Sequence, residues 1–315
     1  MAKVRNIQAV DVAVMIQQST LRKFWPLAGA VMIWGGNWPV MKLGLAHMSP
    51  LWLAASRFGS AALISVVVLA ALRRLRWPTR QEWPLVAGVA LLQMGAFTAL
   101  ALWALQYVAP GRASVIAYAT SIWVIPLSSL VLKERLSAAQ WLATALSYAG
   151  IGVIVAPAFS PWQAHTVIGL VMLLGASFAW ACNIIQLRGN RHVRLGADMI
   201  PWQTAIATVP LAALAWLRDG APLFLAVPDA WPVILYTGPL ATALTFIVVL
   251  GMTQKLPPVA TSIAMLCVPV IGLIVSSLVF HERISPDLAL GLGLIALSVA
   301  GSALASRRPL ALRPS

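Results

Sequence analysis

Trp34, Asn37 and Trp38 share one apolar stretch with Gly35, Gly36 and Pro39. Pro39 lacks the N–H that would bond the carbonyl of Gly35, and the glycines permit close backbone approach. One level of this stretch therefore offers two indoles, an amide and a spare acceptor. The Asn37 amide either bonds an amino or carboxylate group or joins two helices, and the sequence leaves both readings open. Trp103, Tyr118, Trp123 and Trp180 also lie away from the ends of apolar stretches. Their rings can stack on an aromatic solute or attract an ammonium, or else pack in a core or against lipid. Arg57 sits several residues inside another stretch, where it either snorkels to the outer interface or holds a carboxylate. Gln93 and Asn183 are further polar candidates, ahead of Ser121, Gln203, Thr245 and Ser262, because hydroxyls can satisfy themselves on the preceding helical turn. Pro126, Pro201, Pro239 and Pro269 mark expected kinks, where freed carbonyls and bending would serve a gate. Met32, Met94, Met172, Met199 and Met265 could line an adaptable apolar cavity.

The missing residue types narrow the chemistry. No Asp, Glu or His lies deep in an apolar stretch, so the usual proton relay is not expected. No Ser/His/Asp set, carboxylate pair or metal-ligand cluster is apparent, and Cys182 and Cys267 stand alone in apolar runs. The reading is no enzyme, no metal and no cofactor.

These residues need a frame made for lipid. Of 315 residues, 60% are hydrophobic and only 10% charged, against roughly 45–50% and 25% in soluble domains. A membrane helix takes about 20 mostly apolar residues, and ten stretches qualify: 25–44, 50–71, 84–106, 110–132, 137–156, 166–187, 199–217, 231–252, 258–280 and 286–304. Charge and proline gather in the breaks. With the N-terminus cytoplasmic, 17 of the 22 Lys and Arg fall on that side, four on the other, and Arg57 inside a helix. The positive-inside rule then puts both termini on the cytoplasmic side. Trp25, Trp52, Trp77, Trp83, Trp141, Trp162, Trp216 and Trp231 sit near stretch ends, where an indole suits the headgroup layer. The first 24 residues are too mixed to read as a signal peptide. The net charge of +14 thus belongs to orientation in a bilayer, and nucleic acid is not an expected partner. A monomer is the expected state.

The chain repeats itself. SerSerLeuValLeuLysGluArgLeuSer at 128–137 returns as SerSerLeuValPheHisGluArgIleSer at 276–285, and the same offset pairs Pro110 and Ser114 with Pro258 and Ser262. Five stretches per copy is an odd number, so the second copy enters the membrane inverted. The expected fold is an all-α polytopic membrane protein of ten transmembrane helices, with one five-helix repeat at 25–156 and its inverted mate at 166–304. Such pairs suit alternating access. Glu134 and Glu282 lie at the expected starts of helices five and ten, favoured by the helix dipole, as structural turns or as gates.

The chain resembles the drug/metabolite transporter superfamily in its EamA-type ten-helix branch. The resemblance covers about residues 25–304. It rests on IleTrpGlyGlyAsnTrpProValMetLys at 33–42, Arg57 and Phe58, AlaLeuGlnTyrValAlaProGlyArgAlaSer at 104–114, Pro126 and the two GluArg turns. It implies export of amino acids, other metabolites or drugs. The Trp-rich centre is similar to that of the aromatic amino acid exporters, implying Trp34, Asn37, Trp38, Arg57, Gln93, Trp103, Tyr118, Trp123, Trp180 and Asn183 as substrate-binding candidates. Pro39, Pro126, Glu134, Pro239, Pro269 and Glu282 are the structural or gating candidates. A broad drug exporter and a non-transporting scaffold are the alternatives.

Overall fold

The computed structural model describes residues 25–159, 163–253 and 258–305, with side chains described throughout except at 251–263 and 302–305. Trp162, the hydroxyl of Ser262 and the charges of Lys3, Arg5, Arg22, Lys23, Lys255, Arg307, Arg308 and Arg313 fall outside the described set. Among the described residues every extended element is a helix. In chain order these are α1 (25–44), α2 (Pro50–Ala71), α3 (Trp83–Ala104), α4 (Pro110–Val131), α5 (Ala138–Ala158), α6 (Ala164–Gly189), α7 (Ala197–Asp219), α8 (230–253), α9 (Pro258–Phe280) and α10 (Pro286–Ala305). Helices α2 to α8 are long and apolar enough to cross a membrane. The boundaries fall within a turn of those expected, because Pro at a first turn starts α2, α4, α9 and α10 at no hydrogen-bond cost.

Helices nearly one repeat length apart pack antiparallel. At one end of the α2/α7 pair, Ser49 Oγ donates to Asp219 at 2.6 Å and Trp52 Nε1 to the Gly220 carbonyl at 3.2 Å. At the other end Trp202 Nε1 donates to the Arg76 carbonyl at 2.7 Å. Ser114 of α4 meets Pro269 of α9 while Gly111 meets Ser276. Ser147 of α5 donates to Ser298 of α10 at 2.7 Å, and Gly150 meets Gly291. The same turn ends α4 and α9, with Lys133 at φ 54° and His281 at φ 52°, both in a region non-glycine residues seldom adopt.

Two helices change pitch at matching places. In α3, residues Val89–Ala96 are π-helical, and in α8 residues Tyr236–Leu244 are. Pro239 lies inside the second π segment. Pro269 lies inside α9. The kink expected at Pro126 is displaced: α4 breaks at residues 119–120, ahead of the carbonyl that the proline leaves free. That carbonyl, of Ile122, accepts from the Tyr148 hydroxyl at 3.1 Å. Pro201 falls in the first turn of the α-helical part of α7, which starts at Ile200 after a 3-10 turn at Ala197–Met199, so no α-helical hydrogen bond is lost and the kink expected there is absent.

The two glutamates do not open the helices that follow them. α5 is capped by Ser137, whose hydroxyl accepts from Gln140 N while the Gln140 side chain accepts from Ser137 N. Glu134 instead pairs with Arg191 at 2.8 Å and Arg188 at 3.9 Å. Glu282 reaches across to α4 and accepts from the backbone N–H of Gly111 at 2.9 Å and Arg112 at 3.1 Å. Ser276 Oγ donates to the same carboxylate, and Arg112 pairs with Asp287 at 3.0 Å. A carboxylate at a helix N-terminus meets both free donors and a favourable dipole. At Gly111 a Cβ would lie 2.6 Å from that carboxylate, so only glycine lets it approach.

A second clasp ties the opposite face. Arg76 donates twice to Glu82, at 2.7 and 2.8 Å, and pairs with Asp198 before α7. Thr79 N donates to Glu82 at 2.8 Å. The hydrogen bonds from Arg76 hold the Glu82 carboxyl down at about 2 and raise the Arg76 pKa further above its usual range.

Two outcomes are expected. Gly111→Ala lowers stability in detergent by about 1–3 kcal/mol by displacing Glu282 from two partly buried backbone donors, read as a fall in Tm; an unchanged Tm contradicts the cap. Glu82→Gln costs about 1 kcal/mol at neutral pH. The Glu82 pKa is depressed on folding, so its contribution is complete above the unfolded carboxylate value near 4.5 and is lost as pH falls towards about 2. Wild-type and Glu82→Gln melting curves taken from pH 7 to pH 3 should converge.

Candidate functional site

Trp34, Asn37, Trp38 and Met41 recur on α1 at spacings of three and four, so one face of the helix carries them all. That face closes one side of a cavity of about 140 Å³, whose other walls come from α2, α3, α4, α6, α8 and α9. On α3 the lining runs from Gln93 and Met94 through Phe97 and Thr98 to Ala101, beginning inside the π segment. Tyr118 reaches the cavity from α4 just before its break, with Trp180 from α6, Phe246 from α8 and Met265 from α9. The site therefore lies at mid-height of the bundle.

Its walls are rings set edge to face, the arrangement their quadrupoles favour. Trp38 meets Tyr118 at 6.5 Å, Tyr118 meets Trp180 at 5.3 Å, and Trp180 meets Phe97 at 5.2 Å between centroids. Trp34 lies 5.3 Å from Phe246, and its Nε1 donates to the Ala241 carbonyl at 2.8 Å. That carbonyl belongs to the π segment of α8. Tyr236, at the start of the segment, donates its hydroxyl to the Ile33 carbonyl at 2.9 Å. α1 is thereby fastened to the stretch of α8 whose winding differs from an α-helix.

The polar groups are few and distinct. Arg57 does not snorkel: its Nε donates to Thr242 Oγ1 at 2.9 Å, its Nη1 to the Met41 sulfur at 3.3 Å, and it lies 5.4 Å from the Phe58 ring centroid. Thr242 is another residue of the π segment. No Asp or Glu lines the cavity, and no salt bridge among the described residues includes Arg57. Asn37 is 5% exposed, and its Oδ1 accepts no hydrogen bond among the described residues. Gln93 accepts from Asn183 Nδ2 at 2.7 Å, which leaves its own amide N–H groups for the cavity. The site can thus offer a cation, amide donors, one amide acceptor and aromatic faces to the same small solute.

Seven of the ten expected binding residues meet here: Trp34, Asn37, Trp38, Arg57, Gln93, Tyr118 and Trp180. Three do not. Trp103 packs under the Arg218 guanidinium at 4.8 Å. Trp123 donates Nε1 to Ser177 Oγ at 2.9 Å and packs edge-on to Phe178. Asn183 is fully buried behind Gln93. Of the methionines expected at a cavity, Met94 and Met265 line it, whereas Met32 faces outward and Met199 is buried in the core. Met41, Phe97, Thr98 and Ala101 were missed although helical spacing from Trp34 and Gln93 leads to them. Phe246 carries no such signal.

Residues 25–156 and 167–304 each match the EamA-like transporter family. The chain belongs to the EamA-like transporter family. It is thus a member of the drug/metabolite transporter superfamily and a membrane protein. The EamA-like transporter is 28% identical over 285 residues to the "Uncharacterized transporter YvbV" of Bacillus subtilis, covering 87% of this chain and 88% of the other. It is 29% identical over 279 residues to the "Probable amino-acid metabolite efflux pump" of Escherichia coli, covering 84% and 89%. A crystal structure 21% identical superposes with a TM-score of 0.58 over 90% of this chain and 98% of its own, a likeness of fold.

Proposed function

We propose that this transporter exports amino acids with aromatic or apolar side chains from a bacterial cytoplasm across the inner membrane. The carrying observation is an Arg57 that meets no carboxylate among the described residues, in the same ring-walled cavity as an Asn37 Oδ1 that accepts no hydrogen bond among them. Arg57 takes the carboxylate, Asn37 Oδ1 takes the ammonium, and the rings from Trp38 to Phe97 take the side chain. A zwitterion satisfies both free groups at once; a lipophilic cation would meet the guanidinium. A relative named as an amino-acid metabolite efflux pump supports the same reading.

The ten helical segments each cross the membrane once, as two inverted five-helix repeats at 25–156 and 166–304, with both termini cytoplasmic. The antiparallel pairs α2/α7, α4/α9 and α5/α10 support the inversion. Three loops rich in Lys and Arg meet at one face through Arg76–Asp198 and Glu134–Arg191, which supports the orientation. Alternating access then opens the central cavity to either side in turn. A lining without carboxylate or imidazole supports export down the substrate gradient without tight proton coupling.

Counterflow in proteoliposomes tests this with labelled Phe, Trp, Met and Leu beside phenethylamine, which keeps the ring and ammonium of Phe and lacks the carboxylate. Arg57→Gln should weaken apparent affinity for Phe by about 10- to 100-fold, the worth of a charged hydrogen bond, and spare phenethylamine. No amino acid flux in either direction, or equal losses for both solutes, defeats the proposal. Uphill accumulation driven by ΔpH alone would defeat the uncoupled mechanism.

A further inference from the structure

Among the described residues, three buried side-chain oxygens accept no hydrogen bond: Asn37 Oδ1, Asn183 Oδ1 and Gln186 Oε1. Each is an amide carbonyl, and burial without a donor forfeits the bonds that water would have supplied. Asn37 belongs to the cavity. The other two lead away from it. Asn183, fully buried, is joined to the cavity by its bond to Gln93. Gln186 follows three residues later on the same side of α6, and Asn190, the residue just past its end, comes four after that. Gln186 Nε2 donates to the Pro84 carbonyl of α3 at 2.9 Å, and Asn190 Nδ2 donates to the Gln186 carbonyl at 2.9 Å. A row of amides therefore runs between α3 and α6, from the cavity to the face rich in Lys and Arg.

The seam is shut where Gln186 meets Gly88. A Cβ on Gly88 would fall 1.7 Å from Gln186 Oε1, so the amide occupies space that only glycine leaves open. Arg188 and Arg191 at the mouth are both engaged by Glu134. What the seam leaves free is acceptor capacity.

We propose that Asn183 and Gln186 form a transient subsite for the ammonium of a substrate passing between the basic face and the central cavity. The inference rests on the amino acid reading of that cavity. Two unpartnered carbonyl oxygens call for a donor, and an ammonium brings three N–H bonds, whereas a carboxylate brings lone pairs alone. Gln186 Oε1 and Asn183 Oδ1 accept in sequence, and Asn37 Oδ1 completes the transfer.

The test separates flux from affinity in the purified full-length transporter in liposomes, with Phe as probe. Gln186→Met keeps the length of the side chain and removes the acceptor; Gln186→Glu keeps an acceptor. Gln186→Met should cut saturated Phe flux by about fivefold or more and leave equilibrium Phe affinity within about twofold, while Gln186→Glu keeps most of the flux. Asn183→Leu, with unchanged Tm, should show the same split. Normal flux in Gln186→Met overturns the proposal, as does an equal loss in the Met and Glu variants. Loss of affinity in step with flux for Asn183→Leu would assign that residue to the cavity and also overturn it. A wild-type protein that neither binds nor moves any amino acid removes the amino acid reading itself and the subsite with it.

Discussion

Lipid supplies no hydrogen bonds, and nearly every local feature of this fold answers that fact. Where Pro126 frees the carbonyl of Ile122, Tyr148 reaches over from α5 to bond it. Where α4 begins with bare N–H groups, Glu282 arrives from the loop after α9. Thr204, Thr208, Thr237, Thr242 and Thr245 return their hydroxyls to carbonyls of their own helices. Against this thorough satisfaction, a guanidinium without a carboxylate and three amide oxygens without donors stand out among the described residues.

The helical frame was readable because its causes are local. Apolar length, first-turn prolines and charged breaks set the segments to within a turn, and an ungapped ten-residue echo disclosed the duplication. Polarity at membrane depth found Asn37, Arg57 and Gln93, since such residues must have a reason to be there. Ring identity was a weaker guide. Trp103 and Trp123 are as large as Trp180, yet one lies under Arg218 near the end of α3 and the other bonds Ser177. Only packing between distant helices decides which rings face the cavity, and Phe246 depends on that alone.

The glutamate turns show how a repeat can preserve geometry and change its use. Lys133 and His281 hold the same left-handed backbone, so each copy aims its next residue across the bundle. One carboxylate meets the start of α4, and the other meets Arg188 and Arg191. Sequence identity between the copies revealed the turn but not its partners, because partners come from the opposite repeat.

The matched π segments of α3 and α8 carry a different implication. Each winds with more residues per turn than the helix on either side of it, and so stores slack. A wide turn can travel along a helix by handing over one backbone bond at a time, rotating the side chains it passes while the ends stay folded. Gln93 and Thr242 ride on these stretches. In that sense the two segments are winding reserves, able to re-aim the polar groups of the site without breaking the rods that hold them.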